Sequence, residues 1–308
     1  MQYAAQLTAG MLTEWDMEGK NGKEGIRKMN YGESLRRVRE GKPAVQCITN
    51  FVTVNDCANI ILAAGGTPAM TMDVREVREG VEGMDALVCN LGAIESVDSM
   101  IIAGQHANEL GIPVVLDPVA AGNTTLRRYS IRELLETVHF TAIRGNASEI
   151  RAIASGGLEA KTGRGVDVSA EDEIRAENLK KTAEMAAELS LRIRSVIAVS
   201  GETDIVTDGV RTAILSNGCA TMARITGSGC MVTSLIGGFC GADRDNPFRA
   251  VVSAMTVMGL AGETAEQQRL RKGTGNATFR TDLIDAVFNM MPEQVDQGIR
   301  CQEEQRNA

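Results

Sequence analysis

From about residue 43 onward, short apolar runs alternate with longer stretches in which apolar residues return every three or four positions. The runs 45–48, 68–71, 86–90, 113–117, 141–144 and 196–200 read as strands. Between them, Val54, Cys57, Ala58, Ile61 and Leu62 share one helical face, as do Val97, Met100, Ile101 and Ala107. Gly65 and Gly66 end the first of these helices, and Leu110 with Gly111 closes the second. A further helix starts at Asn146, and a long one carries Leu179, Ala183, Ala186, Leu189 and Ile193. Residues 156–172 form a polar, glycine-containing stretch that predicts a loop. Residues 205–207 and 211–215 flank Asp208 and Gly209, a strong hairpin signal. Past the hairpin, a small-residue apolar helix follows 226–230. Asn246 and Pro247 then supply a cap and a first-turn proline. Leu283, Ile284, Val287, Phe288 and Met291 mark a last helix. Strand and helix in this alternation predict a mainly parallel central sheet covered by helices on both faces. One domain over 41–308 is expected, with residues 1–40 as an extension that is not a domain.

Composition narrows this picture. The chain has 308 residues, 44% of them apolar but only 3% aromatic, so the core must be built from Ala, Val, Ile, Leu and Met. Such small side chains let helices approach a sheet closely. The net charge is −8, and Lys and Arg are dispersed. That excludes a nucleic-acid surface, which needs a basic patch, and means that an anionic substrate must be held by a local site. Seven cysteines with no C-x-x-C pair point to a reduced, cytoplasmic setting rather than a disulfide scaffold. The two histidines, His106 and His139, are far apart, which argues against a histidine-based zinc site or a Ser-His-Asp triad. No apolar run reaches the ~18 residues of a membrane span. The N-terminus does not read as a signal peptide.

Ligands of open parallel sheets bind beyond the carboxyl ends of the strands. Here Asp117 ends one strand, Arg144 another, and Ser200 with Gly201 and Glu202 a third. The sharpest motif is Thr226, Gly227, Ser228, Gly229 and Cys230. Two glycines opening a helix can gather backbone N–H groups around one anion, aided by the helix dipole. The same residues also suit a turn that merely packs a helix tightly. No Lys follows the second Gly, so this is not a Walker A loop. Asn146 and Glu149 share a face of one helical turn, where they can hold magnesium through water or form a capping box. Asp117 before Pro118 can be a ligand or a turn former. Arg144 can clamp phosphate or form a surface ion pair; its neighbours favour the clamp. Cys230 is either an ordinary buried cysteine or a thiol whose pKa a helix N-terminus lowers.

Six stretches together carry a family resemblance. Cys47, Ile48, Thr49, Asn50, Phe51, Val52, Thr53, Val54, Asn55 and Asp56 resemble the opening signature of the hydroxyethylthiazole kinases. So do Thr67 to Met70, GIPVVLDPV at 111–119, IRGNASEI at 143–150, SGETDIVTDG at 200–209 and ITGSGCM at 225–231. The resemblance implies a three-layer α/β/α ribokinase-like fold, commonly trimeric, with active sites between subunits. It implies transfer of the ATP γ-phosphoryl group to the hydroxyl of 4-methyl-5-(2-hydroxyethyl)thiazole in thiamine salvage. It places Arg144, Ser200, Asn146 and Thr226 at ATP, and Asp117 and Glu149 at Mg2+. Met70, Gly227, Asn50 and Asn55 fall at the thiazole, and Cys230, Gly227, Ser228 and Gly229 at the transfer itself. Cys230 stands where many ribokinase-like kinases carry an Asp base. Ser200 replaces the family's usual Thr and keeps the hydroxyl; Ser228 is a milder change. The first forty residues extend beyond the family's usual start. A kinase of another small alcohol, a hydratase of the same fold and a non-catalytic nucleotide- or thiazole-binding regulator are the competing readings.

Overall fold

The computed structural model describes residues 30–156 and 176–306. The loop expected at 156–172 therefore lies outside the described residues except for Gly156, as does all of the expected extension before residue 30. Among the described residues, the strands are β1 (Ala44–Ile48), β2 (Thr67–Ala69), β3 (Ala86–Asn90), β4 (Val114–Asp117), β5 (Ala142–Asn146), β6 (Val196–Ser200), β7 (Asp204–Thr207), β8 (Arg211–Leu215) and β9 (Cys301–Gln305). They form one nine-stranded sheet in the order β2-β1-β3-β4-β5-β6-β7-β8-β9. The pairs from β2 through β6 are parallel, and those from β6 through β9 are antiparallel. The expected hairpin is β7–β8, with Gly209 at a φ of +89° that its missing Cβ tolerates.

Two helical layers cover the sheet. On one face pack α1 (Gly32–Gly41), α2 (Val54–Ala64), α8 (Ser228–Ala242), α9 (Pro247–Lys272), α10 (Asn276–Asn289) and α11 (Pro292–Gly298). The other face takes α3 (Val77–Gly80), α4 (Val97–Glu109), α5 (Thr125–Thr137), α6 (Ala147–Ala154) and α7 (Ala176–Ile193). Strand alternation feeds both layers: Val88 and Val115 enter the first core, while Leu87, Cys89, Val114 and Leu116 enter the second. The small residues of α8 serve close packing. A Cβ on Gly237 would stand 2.4 Å from Val88 Cγ2. The register has a functional consequence, because Asn90 pairs with Asp117 and Asn146 with Ser200. Asn90 and Asp117 thus stand side by side, in line with Arg144, and Asn146 and Ser200 lie two residues further along their strands.

Helix α1, ahead of residue 42, packs on the sheet with the rest of the fold. Helix α1 buries Leu35 and Val38 in the first core, each worth about 1.5–3 kcal/mol of burial. Its sequence shows little of this, since those two residues are its only large apolar anchors. Helix α5 and strand β9 also lack a legible pattern. The first buries only Ser130, Ile131 and Leu134, and the second is polar and almost wholly exposed at the sheet edge. His106 is structural, held between Glu82 (3.0 Å) and Glu109 (2.8 Å).

Candidate active site

The strand ends and the N-terminus of α8 meet around one cluster. Asp117 ends β4, buried at 1% exposure, and its Oδ2 accepts from Asn90 Nδ2 at 3.0 Å and Thr233 Oγ1 at 3.0 Å. The same Asn90 nitrogen donates to Cys230 Sγ at 3.2 Å, and Asn50 Nδ2 approaches that sulfur at 3.6 Å. Asn50 also donates to Asn90 Oδ1 at 3.2 Å, while its own Oδ1 caps the turn by accepting from Val52 N and Thr53 N. Burial pushes the Asp117 carboxyl above its ordinary range; the Arg144 charge and the Thr233 hydroxyl oppose this. Burial, then the charge of Asp117, pushes the Cys230 thiol up to about 12. Of the two readings of Cys230, this direction favours the ordinary buried cysteine over a thiol lowered by the helix N-terminus, because desolvation outweighs the dipole.

The glycine loop brings the start of α8 close to Thr53 and Arg144. Gly227 is the N-cap of α8 at a φ of +85°, where a Cβ would stand 2.7 Å from Thr53 Cγ2. At Gly229 a Cβ would stand 2.5 Å from Arg144 Nη1, so the guanidinium reaches the helix start only because this residue has no side chain. Arg144 Nη2 donates to Ser200 Oγ at 2.5 Å, and its buried Nε has no partner. Asp204, at the start of β7, accepts from Gly201 N at 2.9 Å; burial pushes its carboxyl up to about 6, with Arg144 pulling the other way.

Asn146 and Glu149 form the capping box. Glu149 N donates to Asn146 Oδ1 at 2.9 Å, and Asn146 N donates to Glu149 Oε2 at 2.8 Å. Glu149 Oε1 also accepts from Ala120 N at 2.9 Å, and Ala120 holds a left-handed φ of +57°. Burial raises the Glu149 pKa first, and the nearby Asp117 charge adds to it. Two buried carboxylates, each within the field of the Arg144 charge, offer hard oxygen donors. Among the described residues no group of three or more His, Cys, Asp or Glu side chains can hold a metal by itself. The carboxylates of Asp117 and Glu149 are the type of oxygen donor that a hard cation such as magnesium takes.

Of the expected site residues, Asn50, Asp117, Arg144, Ser200, Gly227, Gly229 and Cys230 converge, and Asn146 and Glu149 brace the next strand end. Ser228 is the first residue of α8. Thr226 is exposed just before it. Met70 follows β2 and packs half-buried on the first core. Asn55 lies apart on the exposed face of α2, where its Oδ1 accepts from Asn59 Nδ2 at 3.0 Å. Asn90, Thr233 and Asp204 were not foreseen. The only signal for Asn90 was its place at the end of a predicted strand.

A mainly parallel sheet between helical layers, with an anion-ready helix start facing buried carboxylates at the strand ends, is the architecture of the ribokinase-like kinases. The pyridoxal kinase of Staphylococcus aureus shares it at a TM-score of 0.50 and 14% identity, a likeness of fold alone. The pattern of the hydroxyethylthiazole kinase family matches residues 35–293, and the chain belongs to that family. It is 44% identical over 275 residues to the hydroxyethylthiazole kinase of Thermoanaerobacter pseudethanolicus, covering 88% of this chain and 99% of that one. It is 45% identical over 263 residues to the enzyme of that name from Clostridium botulinum, covering 85% and 91%. The solved hydroxyethylthiazole kinase of Pyrococcus horikoshii superposes at a TM-score of 0.77 with 31% identity, covering 89% of this chain and 99% of that one.

Proposed function

We propose that this chain transfers the γ-phosphoryl group of ATP to the hydroxyl of 4-methyl-5-(2-hydroxyethyl)thiazole, a thiamine-salvage step. The observation that carries the reading is the seating of Cys230, at the start of α8, beside the buried Asp117 in a chain of this family. Phosphoryl transfer is mainly positioning and charge neutralisation. The backbone N–H groups of 227–230 hold the transferring group at the helix N-terminus. Arg144, oriented by Ser200, clamps the phosphates, with Asn146 and Thr226 at the edge of the nucleotide site. Asp117 and Glu149 would hold magnesium through water, and the bound ion supplies neutralisation of the phosphate charge. A thiol pushed up to about 12 stays protonated at neutral pH. Cys230 therefore serves to orient the acceptor hydroxyl rather than as a resident thiolate base. In a loose transition state the alcohol loses its proton late, which makes a strong base unnecessary.

Met70, Asn50 and Gly227 are the side of the thiazole pocket supplied by one chain, and Asn55, set apart on the exposed face of α2, is left out of it. Phe51 and Val52, 82% and 56% exposed, adjoin Asn50. Apolar exposure of that size beside a site supports a homotrimer with each pocket closed by a neighbouring copy. Light scattering on the purified protein tests the trimer. The reaction is assigned to the cytoplasm, where ATP is present; all seven cysteines are free.

The deciding experiment is ADP release from MgATP with hydroxyethylthiazole, hydroxymethylpyrimidine, pyridoxal or no acceptor. Release that depends on the thiazole alone is the expected result. Dependence on another acceptor keeps the fold and changes the substrate. ATP binding without release under any condition means a regulator.

A further inference from the structure

We infer that Asn90 is a positioning residue of the transfer, its carboxamide locking the Cys230 sulfur and the Asp117 carboxylate into one unit. The inference rests on the kinase reading above, and it concerns a residue to which that reading gives no role. Asn90 ends β3 and is 1% exposed, so each polar atom it buries needs a partner. Both halves of its amide are engaged. Nδ2 donates to Asp117 Oδ2 at 3.0 Å and to Cys230 Sγ at 3.2 Å. Oδ1 accepts from Gly92 N at 2.8 Å and Asn50 Nδ2 at 3.2 Å. Two donors face Oδ1 and a carboxylate faces Nδ2, so the amide has one orientation only. Turning it over would press oxygen against Asp117.

The surroundings are built around this group. Gly92 is not in a left-handed conformation, yet a Cβ there would stand 2.6 Å from Asn90 Oδ1 and 2.8 Å from Asn50 Nδ2. Its missing side chain therefore makes room for the two carboxamides. The β3–β4 register then sets Asn90 directly beside Asp117. The sulfur is thus fixed by strand β3 as well as by its own helix. Because Asn90 donates to sulfur, the thiol hydrogen is directed away from it. A side chain that is saturated, buried and aimed at both reacting-site groups sets their separation without needing to touch the acceptor.

The test is a double-mutant cycle with MgATP and hydroxyethylthiazole. Asn90→Ala is expected to lower kcat about 30-fold, the scale of a lost hydrogen bond between strongly interacting groups. The KM values for ATP and thiazole should stay within about threefold, which a general loosening of the pocket would not allow. In a Cys230→Ala background the same change should cost less than about threefold. An equal fall in both backgrounds, or a loss carried by KM, overturns the inference. Asn90→Ser, which keeps one donor, carries the same test if Asn90→Ala does not fold. If the unaltered protein phosphorylates no thiazole, the kinase reading has failed independently. The side-chain amide resonances of Asn90 then decide the positioning claim. A shift on Cys230→Ala upholds the bond to sulfur, and unmoved resonances overturn it.

Discussion

Arg144 donates to Ser200 Oγ at 2.5 Å across the β5–β6 pair, the two side chains rising from strands whose register aligns Asn146 with Ser200. Ser200 stands where the family usually carries Thr, so the bond depends on a hydroxyl and not on the methyl. Ser200→Thr should leave the KM for ATP within about twofold, whereas Ser200→Ala should raise it about tenfold, the loss of one hydrogen bond to a charged group. Steady-state kinetics on the two variants checks this.

Gly229 and Gly227 predict different losses. Gly229→Ala would push a methyl onto the Arg144 guanidinium, 2.5 Å away. The flexible side chain can yield, so the protein should fold normally and lose about 100-fold in kcat/KM, as expected when a phosphate clamp is misplaced. Gly227→Ala meets Thr53 and a left-handed φ of +85°. It should cost about 1–2 kcal/mol of stability as well. Thermal melting and kinetics on both variants separate the two effects.

Cys230→Ser should lower kcat about tenfold with an unchanged melting temperature. That is below the 10²–10⁴-fold loss expected on removing a general base. With the thiol pushed up to about 12, the kcat profile should show no thiol titration between pH 7 and 9. A basic limb in that window which vanishes in Cys230→Ser would return Cys230 to the role of base.

Asp204 sets a pH dependence. Its folded pKa of about 6 lies above the ordinary 3.8, so the folded state binds the proton more tightly. Stability must then fall as pH climbs from about 4 to 6, and the cost persists above that window. Asp204→Asn removes the charge and keeps an acceptor for Gly201 N. The melting temperature of the variant relative to the unaltered chain should therefore rise between pH 4 and pH 7. A difference that stays flat over this range contradicts the assignment.

Asp56 on α2 and Arg280 on α10 form a bidentate pair, with Arg280 Nε at 2.8–2.9 Å from both carboxylate oxygens. Asp56 is buried and Arg280 is partly exposed. Arg280→Ala would strand a buried charge and should cost about 2–3 kcal/mol, below the ~3–5 kcal/mol of a fully buried pair because Arg280 is partly exposed. Chemical denaturation measures it. Asp56→Asn should cost less, because it leaves no charge unpaired.

The strongly periodic elements were legible in the chain. The strands ending in Asn90, Asp117 and Ser200, the hairpin around Gly209 and the helix starts at Asn146 and after Gly227 fall where local pattern puts them. Helix α1 and strand β9 were not legible. Leu35 and Val38 make too narrow a stripe, and an exposed polar strand has no periodicity. Of the cluster at the start of α8, Cys230 and Asp117 stood out in the sequence, and Asn90, which bonds to both, did not. Its amide had no motif to announce it.

What the sequence alone determined is what short-range forces determine: strand and helix order, the parallel sheet, the glycine turn before α8 and a chain of net charge −8. What only the tertiary structure decided is which groups meet. Asn90 reaches Asp117 across 27 residues and Cys230 across 140. No local rule sets such contacts; they follow from the register of parallel strands joined through helices. The direction in which Cys230 titrates is likewise a tertiary property. The helix N-terminus that favours a thiolate is local and visible in sequence, whereas the desolvation that outweighs it is summed over every element packed around the sulfur.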